Sequence, residues 1–109
     1  DLAAAHRAGL GAGAVAALLG GGPDDVPDRY DRADPARRGA PAVPIEIVHG
    51  AADDVVPPSI STTYAAEVGG DRCRSHVLPG VDHFALIDPL SSAWPDVLAS
   101  IRTVRDARY

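Results

Sequence analysis

The sequence predicts an α/β chain. A helical segment and a long loop occupy residues 1–42, and a strand–helix–strand–helix unit with parallel strands occupies 43–109. Three features carry this. Residues 43–48 form a β-branched run that leads into Gly50. Residues 72–78 alternate and end in Pro79-Gly80. Between them lies a helical pattern long enough for the crossover that neighbouring parallel strands require.

Each element has a local cause. Residues 1–8 are Ala-rich, with Leu2 and His6 at helical spacing, and Gly9, Gly11 and Gly13 then interrupt the pattern. A second helical run over 14–19 stops at Gly20-Gly21-Gly22-Pro23. The stretch 24–42, rich in Asp, Arg and Pro, is long for a structureless loop, so a short helix or turns are expected around Val26 and Tyr30. Pro44 suits the first position of a strand, and the apolar run after it implies a sheet covered on both faces. Residues 59–68 read as a helix, with Ser59 as its N-cap and Gly69-Gly70 as its stop. The second strand should lie parallel to the first through a right-handed crossover. A loop over 83–90 precedes a last helix, capped by Ser91 or Ser92 and running to about Arg105. Pro95 falls in its first turn, where proline is tolerated. Trp94, Val97, Leu98, Ile101 and Val104 form its core-facing stripe.

Composition removes several classes of function. The net charge is −5 and all ten basic residues are Arg, scattered without the basic stripe that neutralises phosphates, so no nucleic-acid partner is expected. Cys73 is the single cysteine, which precludes an internal disulfide and a cysteine metal cluster; its place in an alternating segment suits a small buried hydrophobe. No apolar run approaches the length needed to cross a membrane, and the charged-then-apolar order of a signal peptide is absent. The expectation is a cytoplasmic protein without membrane partners.

Two segments carry chemistry. The first, Val48-His49-Gly50-Ala51-Ala52-Asp53-Asp54-Val55-Val56-Pro57, follows the first strand. The second, Leu78-Pro79-Gly80-Val81-Asp82-His83-Phe84, follows the second. Both fall at the carboxyl ends of expected parallel strands, the edge where open α/β sheets bind ligands. Asp53 and His83 are thirty positions apart, about one crossover. If the strands are neighbours, about 4.8 Å apart, the loops leaving them run side by side. An Asp carboxylate there accepts a hydrogen bond from an imidazole N–H, which selects the ring's tautomer and stabilises its cation during acyl transfer. Histidine suits the base because it titrates near neutral pH.

The pattern His-Gly-x-x-Asp-x-x-Val-Pro, followed by Pro-Gly-x-Asp-His-Phe, resembles the last third of the α/β-hydrolase fold. The resemblance implies a triad in the order nucleophile, acid, histidine, with Asp53 as acid and His83 as histidine. Asp54 is the competing acid; the spacing from Gly50 and to Val56-Pro57 favours Asp53. Leu18-Leu19-Gly20-Gly21, Pro27-Asp28-Arg29-Tyr30 and Asp34-Pro35 look like the lid-proximal region of the esterase/lipase and prolyl-oligopeptidase-like branch, a look that arylformamidase-like members share. On this resemblance the whole chain, 1–109, is the C-terminal portion of one α/β-hydrolase domain. It implies hydrolysis of a small-molecule ester or amide through an acyl-enzyme, without cofactor or metal.

The chain departs from the family at the nucleophile. No Gly-x-Ser-x-Gly elbow is present, and Ser59, Ser61, Ser75, Ser91, Ser92 and Ser100 all lack the flanking glycines. The oxyanion-hole segment is missing too. The expectation is that the nucleophilic Ser lies upstream and that these 109 residues alone are inactive. The alternative is a degenerate, non-catalytic hydrolase-like module used for binding or assembly.

Plainer roles suit the remaining candidates. His49 supports the loop, His6 and His76 are structural or exposed, and Asp82 shapes the turn before His83. Asp53, Asp82 and His83 match no familiar metal-ligand spacing. Gly9-x-Gly11-x-x-Ala14 has no strand before it and is no dinucleotide fingerprint.

Overall fold

The computed structural model describes residues 1–107. The chain forms two compact units, the first Asp1–Gly39 and the second beginning at Ala40.

The first unit is helical. Helix α1 spans Leu2–Arg7, α2 spans Ala14–Leu19 and α3 spans Pro27–Ala33, with single turns of 3-10 helix at Leu10–Ala12 and Pro35–Arg37. The helix expected near Val26 and Tyr30 is α3, which opens with Pro27, a residue whose fixed φ is preset for a first helical position. Its core is small: Ala3 and Tyr30 are buried apolar residues, joined by the fully buried Asp34. Asp34 accepts hydrogen bonds from the backbone N–H groups of Leu2 at 2.9 Å, Ala3 at 3.1 Å and Ala36 at 3.1 Å. One carboxylate thereby satisfies orphan donors at the start of α1 and of the turn after α3. Burial pushes this carboxyl's pKa up, but the three N–H donors outweigh that and hold it below its ordinary value. Tyr30 donates its hydroxyl to the Gly21 carbonyl at 3.1 Å, which closes the segment after α2 onto α3.

The second unit is a strand–helix–strand–helix arrangement. Strand β1 spans Ile45–Gly50, helix α4 Ser59–Tyr64, strand β2 Cys73–Leu78 and helix α5 Trp94–Asp106. The strands are parallel neighbours in register from Ile45 opposite Cys73 to Gly50 opposite Leu78. The unit is mixed α/β, as expected. Strand β1 begins two residues later than its β-branched run because Pro44, with no N–H, stays outside the ladder. A 3-10 turn at Gly70–Arg72 delays β2 to Cys73.

Side chains alternate across the sheet. His49 points to the face carrying α4, where it meets Ser61. Glu46 and Val48 point the other way and line a groove with Val97, Ile101 and Val104 of α5. The helices therefore cover opposite faces. Coverage is thinner than the apolar run implied: residues 45–48 are half-buried, and only His49 and Gly50 of β1 are buried. Ile101, expected in the core, is 55% exposed. The physical reason is that two strands are too narrow a platform for the whole apolar stripe of a 13-residue helix.

Both expected serine caps are absent. Helix α4 starts from Pro58, already helical at φ −55° and ψ −25°, so Ser59 lies inside the helix. Helix α5 starts from Ala93. The Ser91 hydroxyl is instead committed to the Ala85 carbonyl at 2.5 Å, and Ser92 is exposed. Helix α4 is also shorter than the expected 59–68, because the chain widens into a π turn over Ala65–Gly69. No helix among the described residues is long and apolar enough to cross a membrane.

Candidate active site

The two strands deliver their loops to one edge. Beyond Gly50 the parallel ladder continues for one bond, from the Ala51 N–H to the Leu78 carbonyl at 2.9 Å. The Ala52 N–H then reaches the Val81 carbonyl at 3.0 Å, tying the first loop to the second. Pro79-Gly80 reverses the chain after β2, with Gly80 at φ 71°, a conformation that favours glycine. Gly50 has a different reason to be glycine. A Cβ there would lie 2.2 Å from the Val81 carbonyl oxygen and 2.8 Å from that of Asp82, both backbone atoms. The missing side chain is what lets the His83 loop press against the end of β1.

Asp53 sits in the first loop with both carboxylate oxygens occupied. Oδ1 accepts from the N–H groups of Val55 at 2.9 Å and Val56 at 2.8 Å, a local turn that a short side-chain carboxylate makes well. Oδ2 faces His83, whose Nδ1 lies 2.8 Å away. The Asp53 side chain is 3% exposed and that of His83 is 34% exposed. A sheltered carboxylate thus holds a partly open imidazole. Burial pushes the Asp53 carboxyl's pKa up, but the Val56 N–H, the His83 ring and the Val55 N–H overcome it and bring it to about 2. At neutral pH Asp53 is ionised and can only accept, so His83 donates through Nδ1–H, and in the neutral ring this leaves Nε2 with its lone pair. That is the tautomer of a general base.

The remaining candidates fall into place around the pair. Asp54 is exposed, and the carboxylate that meets His83 is that of Asp53. Asp82 accepts from the Phe84 N–H at 3.0 Å and the Ala85 N–H at 2.8 Å, shaping the turn that carries His83. The Phe84 ring stands edge-on to the imidazole, centroids 5.0 Å apart at 88°. His76 pairs across the strands with Glu46, away from this edge. Cys73 opens β2, where burial and then Glu46 push its thiol pKa up, an unreactive setting. Among the described residues no cluster of three or more His, Cys, Asp or Glu is arranged to hold a metal ion.

His49 is the residue whose position the sequence did not reveal. Its ring reaches the Ser61 hydroxyl, the Val56 carbonyl and the Asp53 carboxylate at once. The His49-to-Asp53 interval resembles a helical i, i+4 pair, but the segment leaves a strand, so the spacing alone carries no such signal.

An open groove of about 340 Å³ adjoins the pair and is mostly apolar, lined besides Asp53 and His83 by His49, Val48, Val56, Phe84, Leu86 and Ile87. A larger groove of about 550 Å³ lies between β1 and α5, where Glu46, Ser100 and Arg105 are its polar lining residues. Of these two grooves, the smaller holds the Asp53–His83 pair. Fold and site together define an α/β chain with a carboxylate–imidazole pair at the carboxyl ends of adjacent parallel strands. No protein-family model, curated protein or solved structure matches the chain.

Proposed function

We propose that Asp53 and His83 are the acid and the histidine of a serine hydrolase of the α/β-hydrolase type, which cleaves an ester or amide through an acyl-enzyme. The observation that carries this reading is the 2.8 Å contact between Asp53 Oδ2 and His83 Nδ1. It leaves Nε2 uncommitted on a partly exposed imidazole that lines a mostly apolar groove. In the proposed reaction Nε2 removes the proton of a serine hydroxyl supplied by upstream sequence. The resulting imidazolium is stabilised by the ionised Asp53 and then protonates the leaving alcohol or amine. The apolar lining from Val56 to Ile87 suits the uncharged part of an ester or amide.

The test uses the product of the complete reading frame with p-nitrophenyl acetate. Burst release of p-nitrophenol is expected, together with a fall in kcat of roughly 10⁶-fold for His83→Ala and roughly 10⁴-fold for Asp53→Ala. Activity that survives His83→Ala removes the assignment. An upstream sequence without a Gly-x-Ser-x-Gly elbow, in a protein inert to this ester, points to the binding-module alternative.

A further inference from the structure

His49 is the last residue but one of β1, and it is 8% exposed. Its ring has three polar neighbours. Nδ1 lies 2.7 Å from the Ser61 hydroxyl, and Nε2 lies 2.9 Å from the Val56 carbonyl oxygen. Nε2 also lies 3.1 Å from Asp53 Oδ2. A carbonyl oxygen can only accept, so Nε2 carries a hydrogen in every charge state of the ring. In the neutral ring Nδ1 is then the acceptor, and the Ser61 hydroxyl donates to it. The Val56 carbonyl therefore sets the tautomer of His49, and the Ser61 hydroxyl holds the other side of the ring.

This arrangement reaches Asp53 by two routes. The first runs through the backbone: His49 anchors the Val56 carbonyl, and the Val56 N–H holds Asp53 Oδ1 at 2.8 Å. The second is direct, because the positive N–H edge of His49 lies beside Oδ2, the oxygen that His83 uses. We infer that His49, with its tautomer set by the Val56 carbonyl and its ring held by Ser61, is a positioning residue that fixes the rotation of the Asp53 carboxylate so that Oδ2 faces His83 Nδ1. The inference rests on the assignment of Asp53 and His83 as acid and histidine. It makes the site a four-residue chain, Ser61 to His49 to Asp53 to His83, rather than a pair.

Imidazole NMR on the ¹⁵N-labelled 109-residue chain tests it without a substrate. In the unsubstituted chain His83 should show a far-downfield Nδ1–H proton, and His49 a protonated Nε2 with an accepting Nδ1. His49→Leu should move the His83 proton upfield and quicken its exchange with water about tenfold, the response to losing one ordinary hydrogen bond. His49→Gln returns an N–H donor near the Nε2 position and should restore the signal, which a merely space-filling role does not require. A His83 proton that keeps its shift and exchange rate in a natively folded His49→Leu chain overturns the inference. Should His49→Leu fail to fold, Ser61→Ala decides. It frees His49 Nδ1 and loosens the ring while Nε2 keeps its hydrogen for the Val56 carbonyl, so His83 exchange should quicken, and an unchanged His83 proton overturns the inference there as well. Absence of the downfield His83 proton in the unsubstituted chain removes the acid–histidine assignment itself. Its presence with indifference to His49 and Ser61 removes only the positioning role.

Discussion

Gly50 and Val81 approach so closely that a single added carbon on Gly50 would sit 2.2 Å from the Val81 carbonyl oxygen. The contact joins the end of β1 to the loop that carries His83. It explains in steric terms why position 50 is glycine: the missing side chain makes room for the His83 loop.

Gly50→Ala should therefore separate the two loops. Neither obstructing atom is the end of a flexible side chain, so relief requires backbone movement, at about 2 kcal/mol by analogy with other overpacked sites. Urea denaturation measures the loss. Weakening of the downfield His83 Nδ1–H signal in the folded fraction would place the movement at the site.

Acid should weaken the fold through Asp53. Its carboxyl is lowered from 3.8 to about 2 in the folded chain, so the folded state binds the proton less well than the unfolded chain does. Its contribution to stability is fully present above 3.8 and is lost as pH falls through about 2. Asp53→Asn carries no such titration. The denaturation midpoint of this variant should depend less steeply on pH across that window than that of the unsubstituted chain. Parallel pH profiles would contradict the depressed value.

His83→Ala should raise the Asp53 carboxyl without returning it to normal. The imidazole is one of its stabilising partners, but the Val56 and Val55 N–H groups remain on Oδ1. Carboxyl ¹³C titration should place the midpoint between about 2 and 3.8. A midpoint unmoved from the unsubstituted chain would mean that the His83 contact has no energetic weight.

The first unit should depend on the Asp34 carboxylate more than on the Tyr30 hydroxyl. Asp34→Ala leaves the N–H groups of Leu2, Ala3 and Ala36 without their acceptor and should cost about 3 kcal/mol. Hydrogen exchange at Ala3 and Ala36 should quicken first. Tyr30→Phe, which removes only the bond to Gly21, should cost about 1 kcal/mol. Equal losses in the two variants would show that the carboxylate is not the organising group.

By itself the sequence determined the order of the elements and the two segments that hold the candidate pair. Helices α1 and α2, the two strands and α5 were legible because periodicity, glycine stops and β-branched runs act over a few residues. The candidacy of Asp53 and His83 was legible too, because one crossover brings residues thirty positions apart to the same sheet edge. Tertiary structure decided the rest. It set the ends of β1, since pairing with β2 rather than propensity selects Ile45–Gly50. It withheld the serine caps, since Pro58 already supplies a helical backbone and Ser91 bonds elsewhere. The burial of Asp34, the close approach of Gly50 to Val81 and the three-way contact of His49 all join groups whose local sequence says nothing of their partners. Such contacts depend on register and loop packing, and these exist only once the chain has closed on itself.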